Sequence, residues 1–225
     1  MPARRGAVSA WLFDLDNTLY PAGCRLFEQI ERRMTDYICR RLGLDQAGAH
    51  QLRRRYWQAH GTTLRGLMTH HGVDSAEFLD FVHDIDLSVV APAPRLDQAL
   101  AALGGRKLVF TNGSLAHAER VLARLGVGHH FEAIFDIAAA DFVPKPEPAA
   151  YQRLIARHGV EPDRAVMFDD IAINLRPAAE LGMTTVWVPA TGVAAPNRDH
   201  GRDRPGDHVD HIALDLTDWL HRLDE

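Results

Sequence analysis

A chain of 225 residues with 46 % hydrophobic and 24 % charged residues has the composition of an ordinary globular protein, which excludes a disordered or fibrous chain. Its net charge of −5, with no basic run longer than Arg53-Arg54-Arg55, leaves no electrostatic footprint for nucleic acid, and that triplet reads as a solvated helix face. No apolar run approaches the roughly 20 residues a bilayer span requires, and residues 1–10 lack the apolar stretch of a secretory signal, so no membrane partner is expected.

Residues 8–13 (VSAWLF) form a short, nearly continuous apolar run, the pattern of a strand buried on both faces of a parallel sheet. About ninety residues separate it from the next such run, far too many for one crossover, so the interval holds an inserted unit. Its pattern is helical. Phe27, Ile30, Met34, Ile38 and Leu42 recur at three- and four-residue steps up to Gly43, and Leu64, Leu67, Met68 and His71 do so before Gly72. Asp74 and Glu77 look like an N-terminal capping pair for a further helix. The insert is placed at 20–91, with Pro92-Ala93-Pro94 as the return hinge.

Further strands are expected at 107–110 (KLVF), 165–168 (AVMF) and 184–188 (TTVWV), with a weaker one at 133–137. Helices are expected at 116–125, 148–158 and 171–181, each closed by a nearby glycine. This alternation means an α/β fold with a parallel sheet and right-handed crossovers, its core built from 1–19 and 92–225. The Gly-, Pro-, Arg- and Asp-rich stretch 192–207 reads as a surface loop, and His200, His208 and His211 as surface residues. Cys24 and Cys39 form neither a C-x-x-C motif nor a disulfide framework, which points to a reducing, cytoplasmic setting.

In an open parallel sheet, reactive residues collect at the carboxyl ends of the strands. After the first run stand Asp14-Leu15-Asp16-Asn17-Thr18; after the second, Thr111-Asn112-Gly113; before the 148–158 helix, Lys145-Pro146-Glu147-Pro148; after the AVMF run, Asp169-Asp170. Singly, D-x-D recurs at turns, Thr111 can end a strand and Lys145 can be a surface lysine. Together, in order, they place four carboxylates, a hydroxyl and a lysine around one crevice. Carboxylates repel by about 1 kcal/mol per pair at 4 Å in water and about 4 at an effective dielectric of 20, so the group requires a cation. All-oxygen ligation points to a hard ion, Mg²⁺ where phosphate supplies further oxygens. Residues two apart on a strand project the same way. Asp14 can then attack phosphorus in line to form an aspartyl-phosphate, while Asp16 protonates the departing alkoxide and later deprotonates the hydrolytic water.

Phe13-Asp14-Leu15-Asp16-Asn17-Thr18-Leu19-Tyr20 resembles motif I of the haloacid dehalogenase-like superfamily, Thr111-Asn112-Gly113 motif II, Lys145-Pro146 motif III and Asp169-Asp170 motif IV. The resemblance covers essentially the whole chain and implies a modified Rossmann core with a helical cap of the first type inserted after motif I. By position it implies that Asp14 and Asp170 bind Mg²⁺ through side chains and Asp16 through its backbone carbonyl, with Asp169 beside them or water-bridged. Thr111 and the Asn112 backbone would hold phosphoryl oxygens, and Lys145 would neutralise the aspartyl-phosphate. Many members carry an acidic residue a few positions after motif IV, where this chain has Asn174, which puts the ligand count in question. The founding dehalogenases lack an aspartate at the second position of motif I, so Asp16 favours phosphate over halide chemistry.

Residues 13–21 and the run Gly61-Thr62-Thr63-Leu64-Arg65-Gly66-Leu67 look like the pyrimidine 5′-nucleotidase branch. That resemblance implies a phosphomonoesterase acting on nucleoside 5′-monophosphates, as a monomer or homodimer. The alternatives are another small phosphometabolite, such as a sugar phosphate or phosphoglycolate, and a non-catalytic binding protein on the same fold. Arg65 either reaches a substrate group from the cap or is a helix-surface arginine. Tyr56 and Trp57 either stack on a base or pack the cap. Cap closure would hinge near 19–22 and 91–94.

Overall fold

Alternation along four buried residues decides the layers. In β1 (Ala10–Phe13), Trp11 and Phe13 turn to one face of the sheet and Ala10 and Leu12 to the other, and the two sets seed separate apolar clusters. The computed structural model describes residues 8–190 and 205–224. β1 pairs in parallel with β2 (Arg106–Phe110) on one side and β4 (Ala165–Asp169) on the other. With β3 (Ala133–Phe135), β5 (Thr184–Trp187) and β6 (His211–Ile212), the order is β3-β2-β1-β4-β5-β6, every pair parallel. The order reverses direction at β1, and this reversal opens a crevice at the carboxyl ends of β1, β2 and β4.

Four helices lie between β1 and the rest of the core: α1 (Leu26–Leu42), α2 (Gln46–His60), α3 (Thr63–His71) and α4 (Ser75–Val82). They share a third apolar cluster that includes Ile30, Ile38, Leu67 and Phe78. Local chemistry sets their ends. Asp45 accepts from Gly48 N and Asp74 from Glu77 N, each at 2.8 Å, while Gly43 and Gly72 adopt the left-handed conformation that closes α1 and α3. The buried positions of α2 are Ala49, Leu52, Arg53 and Tyr56, the three- and four-residue spacing of one helix face. Arg53 is therefore not on a solvated face as the triplet suggests; it is 7 % exposed and pairs with Glu31 at 2.7 Å, while Arg54 and Arg55 are exposed.

The sheet is covered on both faces. α5 (Pro94–Ala102), α6 (Leu115–Leu125) and α9 (Leu216–His221) share the cluster of Trp11 and Phe13, while α7 (Pro148–His158) and α8 (Leu175–Glu180) share that of Ala10 and Leu12. α6 also ties down the segment returning from the insert. Arg120 donates to the carbonyls of His83 and Ile85, and Arg124 to those of Val90 and Ser88, at 2.9–3.3 Å.

Against expectation, Pro94 opens α5 rather than hinging, because proline suits the first helical position. The stretch 171–181 divides into a 3₁₀ turn at Ala172–Asn174 followed by α8. His208 and His211 are half-buried, not superficial: His208 Nε2 bonds the Ala172 carbonyl at 2.9 Å, and His211 belongs to β6. His200 and most of the 192–207 loop lie outside the described residues. Among the described residues, no helix is long and apolar enough to cross a membrane.

Gly66 governs the fit of α2 against α3, because a Cβ there would lie 2.3 Å from Tyr56 Cγ and 2.5 Å from Tyr56 Cβ. In an open helix Gly→Ala gains about 1 kcal/mol, whereas overpacking costs about 1–3 kcal/mol. Gly66→Ala is predicted to lower the urea midpoint; a raised midpoint would refute this packing argument.

Candidate active site

The first aspartate is held where the ladder of β1 ends. Asp14 N still donates to Phe168 O at 2.9 Å, after which the chain turns through Asn17, whose φ of 63° asparagine tolerates better than most side chains. The turn brings Thr18 back under its predecessor, and its hydroxyl donates to Asp14 Oδ2 at 3.0 Å. The other carboxylate oxygen faces Lys145. The ammonium of Lys145, fully buried, donates to Asp14 Oδ1 at 2.7 Å, Asp169 Oδ2 at 2.6 Å and Phe110 O at 2.8 Å, which uses all three of its protons. Asn112 fixes the lysine's backbone from β2's end: its Oδ1 accepts from Lys145 N at 2.8 Å and its Nδ2 donates to Lys145 O at 3.2 Å. Thr111 Oγ1, 2.9 Å from Gly113 N, completes this rim.

Asp169 is fully enclosed. Beyond Lys145, it accepts from Ile171 N and from the Asn174 side-chain amide, each at 2.9 Å. Asn174 thus serves to orient Asp169. Carboxylate oxygens of Asp14, Asp169 and Asp170 lie within 4.8 Å of one another, all three residues buried. Burial raises the Asp14 carboxyl well above the usual carboxylate range, Lys145 works against that rise, and Asp169 and Asp170 add to it. Burial opposes the charge of Lys145 in turn, but Asp14 and Asp169 outweigh it and hold its pKa above the ordinary value. The three carboxylates crowd within reach of one ion, with Lys145 facing Asp14 and Asp169. This oxygen-only donor set, narrow enough to share one ion, fits a hard divalent cation.

Asp16 stands apart from that group. Its Oδ1 accepts from Tyr20 Oη at 2.7 Å and from His117 Nε2 at 2.8 Å. Burial alone would raise this carboxyl, but the charge and hydrogen bond of His117, with the hydrogen bond of Tyr20, bring it below the usual range. The His117 ring stacks on His83, with centroids 4.3 Å apart and planes 8° from parallel. Burial, and then His117, hold His83 down to about 3. Sequence reasoning missed both histidines. The available signal for His117 was a polar residue in the first turn after the Thr111-Asn112-Gly113 strand end, on the face of α6 that carries Val121 and Leu125.

Asp14, Asp16, Thr111, Asn112, Lys145 and Asp170 all line one cavity of about 250 Å³. Its far wall comes from the inserted helices, where Phe27, Ile30, Met34, Trp57, Leu64 and Phe78 contribute apolar surface and Arg53 with Glu31 a paired charge. Trp57 lines this cavity, whereas Tyr56 is buried between α2 and α3 with its hydroxyl 2.7 Å from His71 Nε2. Arg65 is not among the lining residues; its Nη1 lies 3.8 Å from Glu147 Oε1, beyond hydrogen-bond reach. Gly61 comes close to the Lys145 loop, since a Cβ there would meet Pro144 Cγ at 3.0 Å.

A Rossmann-like parallel sheet presenting buried carboxylates and a lysine to a cavity roofed by inserted helices defines an α/β protein with a covered acidic site. Residues 8–182 match the haloacid dehalogenase-like hydrolase family, and the chain belongs to it. It is 27 % identical over 198 residues to Phosphate metabolism protein 8 of Saccharomyces cerevisiae, covering 81 % of this chain and 60 % of that protein. It is also 35 % identical over 115 residues to Fructose-1-phosphate phosphatase YqaB of Escherichia coli, covering 50 % of this chain and 60 % of the relative. The matches therefore span about 60 % of the length of both relatives. The fold is shared with the crystal structure of a HAD phosphatase from Thermococcus onnurineus, with a TM-score of 0.62, 23 % identity, and coverage of 96 % of this chain and 98 % of that one.

Proposed function

We propose that this hydrolase is a Mg²⁺-dependent phosphomonoesterase working through an aspartyl-phosphate on Asp14, with nucleoside 5′-monophosphates as its substrate class. The reading rests on one observation: Asp14 and Asp16, two residues apart, both line a cavity in which Lys145 Nζ lies 2.7 Å from Asp14. The catalytic core is 1–19 with 92–225, and residues 20–91 are the cap.

Asp14 attacks phosphorus to form an acyl phosphate as the ester P–O bond breaks. The electron pair goes to the leaving oxygen, which takes a proton from Asp16. Asp16 then accepts a proton from the water that attacks the acyl phosphate, releasing phosphate and restoring Asp14. Lys145 offsets charge on Asp14 throughout, Asn112 holds Lys145 in register, and Thr111 with the Asn112 backbone holds phosphoryl oxygens. Mg²⁺, held by Asp14, Asp170 and the Asp16 carbonyl with Asp169 beside them, would supply the charge neutralisation that lets a dianionic ester approach a carboxylate.

The roof of the cavity supports the substrate class. Trp57 and the aliphatic wall favour a flat, partly apolar leaving group, and the Arg53–Glu31 pair offers polar recognition at its edge. Arg65 would take part only through a shift of the cap toward the substrate. A sugar phosphate is the second reading, favoured by the relative named as a fructose-1-phosphate phosphatase.

Purified protein is expected to release phosphate from UMP or CMP with Mg²⁺ and not in EDTA, and Asp14→Asn to abolish release. Ranking a panel of nucleotides and sugar phosphates by kcat/KM tests the substrate class, and a preference for fructose 1-phosphate would replace the nucleotide reading with the second one. Metal-independent turnover would overturn the mechanism.

A further inference from the structure

We propose that His117 and Tyr20 are positioning residues that clamp one oxygen of Asp16, so that its other oxygen is aimed at the leaving group, and that His83 from the end of the cap locks the clamp. The inference rests on the phosphatase reading above and extends it to residues outside the four motifs' acidic and lysine groups.

Both donors meet the same atom. Tyr20 Oη and His117 Nε2 lie 2.7 and 2.8 Å from Asp16 Oδ1, which leaves Oδ2 as the oxygen available to the cavity. A carboxylate on a turn rotates about its terminal bond, and a broad torsion of this kind is fixed by hydrogen bonds rather than by its own rotamer well. Proton transfer at a leaving oxygen requires placement within hydrogen-bond reach, so fixing that rotation bears directly on the reaction.

His117 has no other evident purpose in the core. Its side chain is fully buried, yet Nδ1 has no hydrogen-bond partner, so its one side-chain hydrogen bond among the described residues is to Asp16. Buried polar atoms are usually satisfied, and a histidine kept for packing alone would be replaceable by an apolar ring without an orphaned nitrogen. The surroundings hold its ring in one orientation. His83 stacks on one face and is itself anchored, with Nδ1 2.9 Å from Ser114 Oγ and its carbonyl accepting from Arg120 at 3.0 Å. Gly113 lies beside the pair, since a Cβ there would sit 3.4 Å from His117 Cδ2 and 3.7 Å from Asp16 Oδ2, in ordinary contact with both. Since His83 directly follows α4, the end of the cap reaches the Asp16 carboxylate through two stacked rings.

A proton donor matters only when the departing oxygen needs a proton, which separates this role from general packing. The test compares kcat/KM with Mg²⁺ for p-nitrophenyl phosphate, whose phenolate leaves unaided, and for phenyl phosphate, whose phenolate is more basic. General acid catalysis is worth about 10²–10⁴, so His117→Ala and Tyr20→Phe are each expected to lose about tenfold or more on phenyl phosphate and about threefold or less on p-nitrophenyl phosphate. His117→Gln, which restores an N–H donor, is expected to recover part of the loss on phenyl phosphate. Tyr20→Phe keeps the ring and removes only the donor, so it stands as the informative variant if His117→Ala does not fold. Equal losses on both esters, or no loss on either, would overturn the clamp while leaving the phosphatase reading intact. Wild-type protein inert toward both esters, or an Asp14→Asn variant as active as wild type, would overturn that reading and the clamp with it.

Discussion

One buried ammonium placed between carboxylates is the constraint on which the site depends. Lys145 gives up solvation to lie 2.7 Å from Asp14 and 2.6 Å from Asp169, and in a low-dielectric interior such an arrangement is tolerated only when every proton has an acceptor. The remaining geometry follows from meeting that condition. Phe110 at the end of β2 supplies the third acceptor, Asn112 pins the lysine's backbone at two points, and Asn174 and Ile171 N occupy the oxygen of Asp169 that Lys145 does not reach. The sheet order β3-β2-β1-β4-β5-β6 brings these contributors to adjacent strand ends, so the electrostatics of the site and the topology of the fold are the same requirement at different scales.

Buried like charges within 4.8 Å of one another repel, and the three carboxylates meet as an oxygen-only set that fits a hard cation. Asp16 is treated differently by the same fold: it has no lysine, and instead Tyr20 and His117 both donate to one of its oxygens. Neighbouring carboxylates on one turn are thereby given different environments, Asp14 beside a lysine and two further carboxylates and Asp16 beside a tyrosine and a histidine.

The inserted helices answer a separate need. They face the acidic rim with apolar side chains, which lowers the polarity of the cavity's far wall. Their packing relies on close backbone approach, at Gly66 against Tyr56 and at Gly61 against Pro144, so small residues in this region serve contact rather than flexibility. Arg120 and Arg124 on α6 hold the returning segment, which keeps His83 against His117.

Most of the core was legible in the sequence. Uninterrupted apolar runs identify buried parallel strands, helix ends are written in local signals such as Asp74 and Gly43, and α7 spans the very residues its pattern predicts. β6 was not legible, since two residues carry no periodicity, and α5 was hidden behind prolines that read as a hinge. Arg53 was misjudged because a run of three arginines looks solvated, although its four-residue offset from Ala49 puts it on the buried face.

By itself, then, the sequence determined which residues stand at the strand ends and hence the family, because those positions follow from local pattern and chain order. Only the tertiary structure decided that Lys145 lies between Asp14 and Asp169, that Asn174 serves Asp169, and that His117 reaches Asp16 across 101 positions of chain. Such contacts depend on three-dimensional distances between segments far apart in the chain, and no local propensity encodes them.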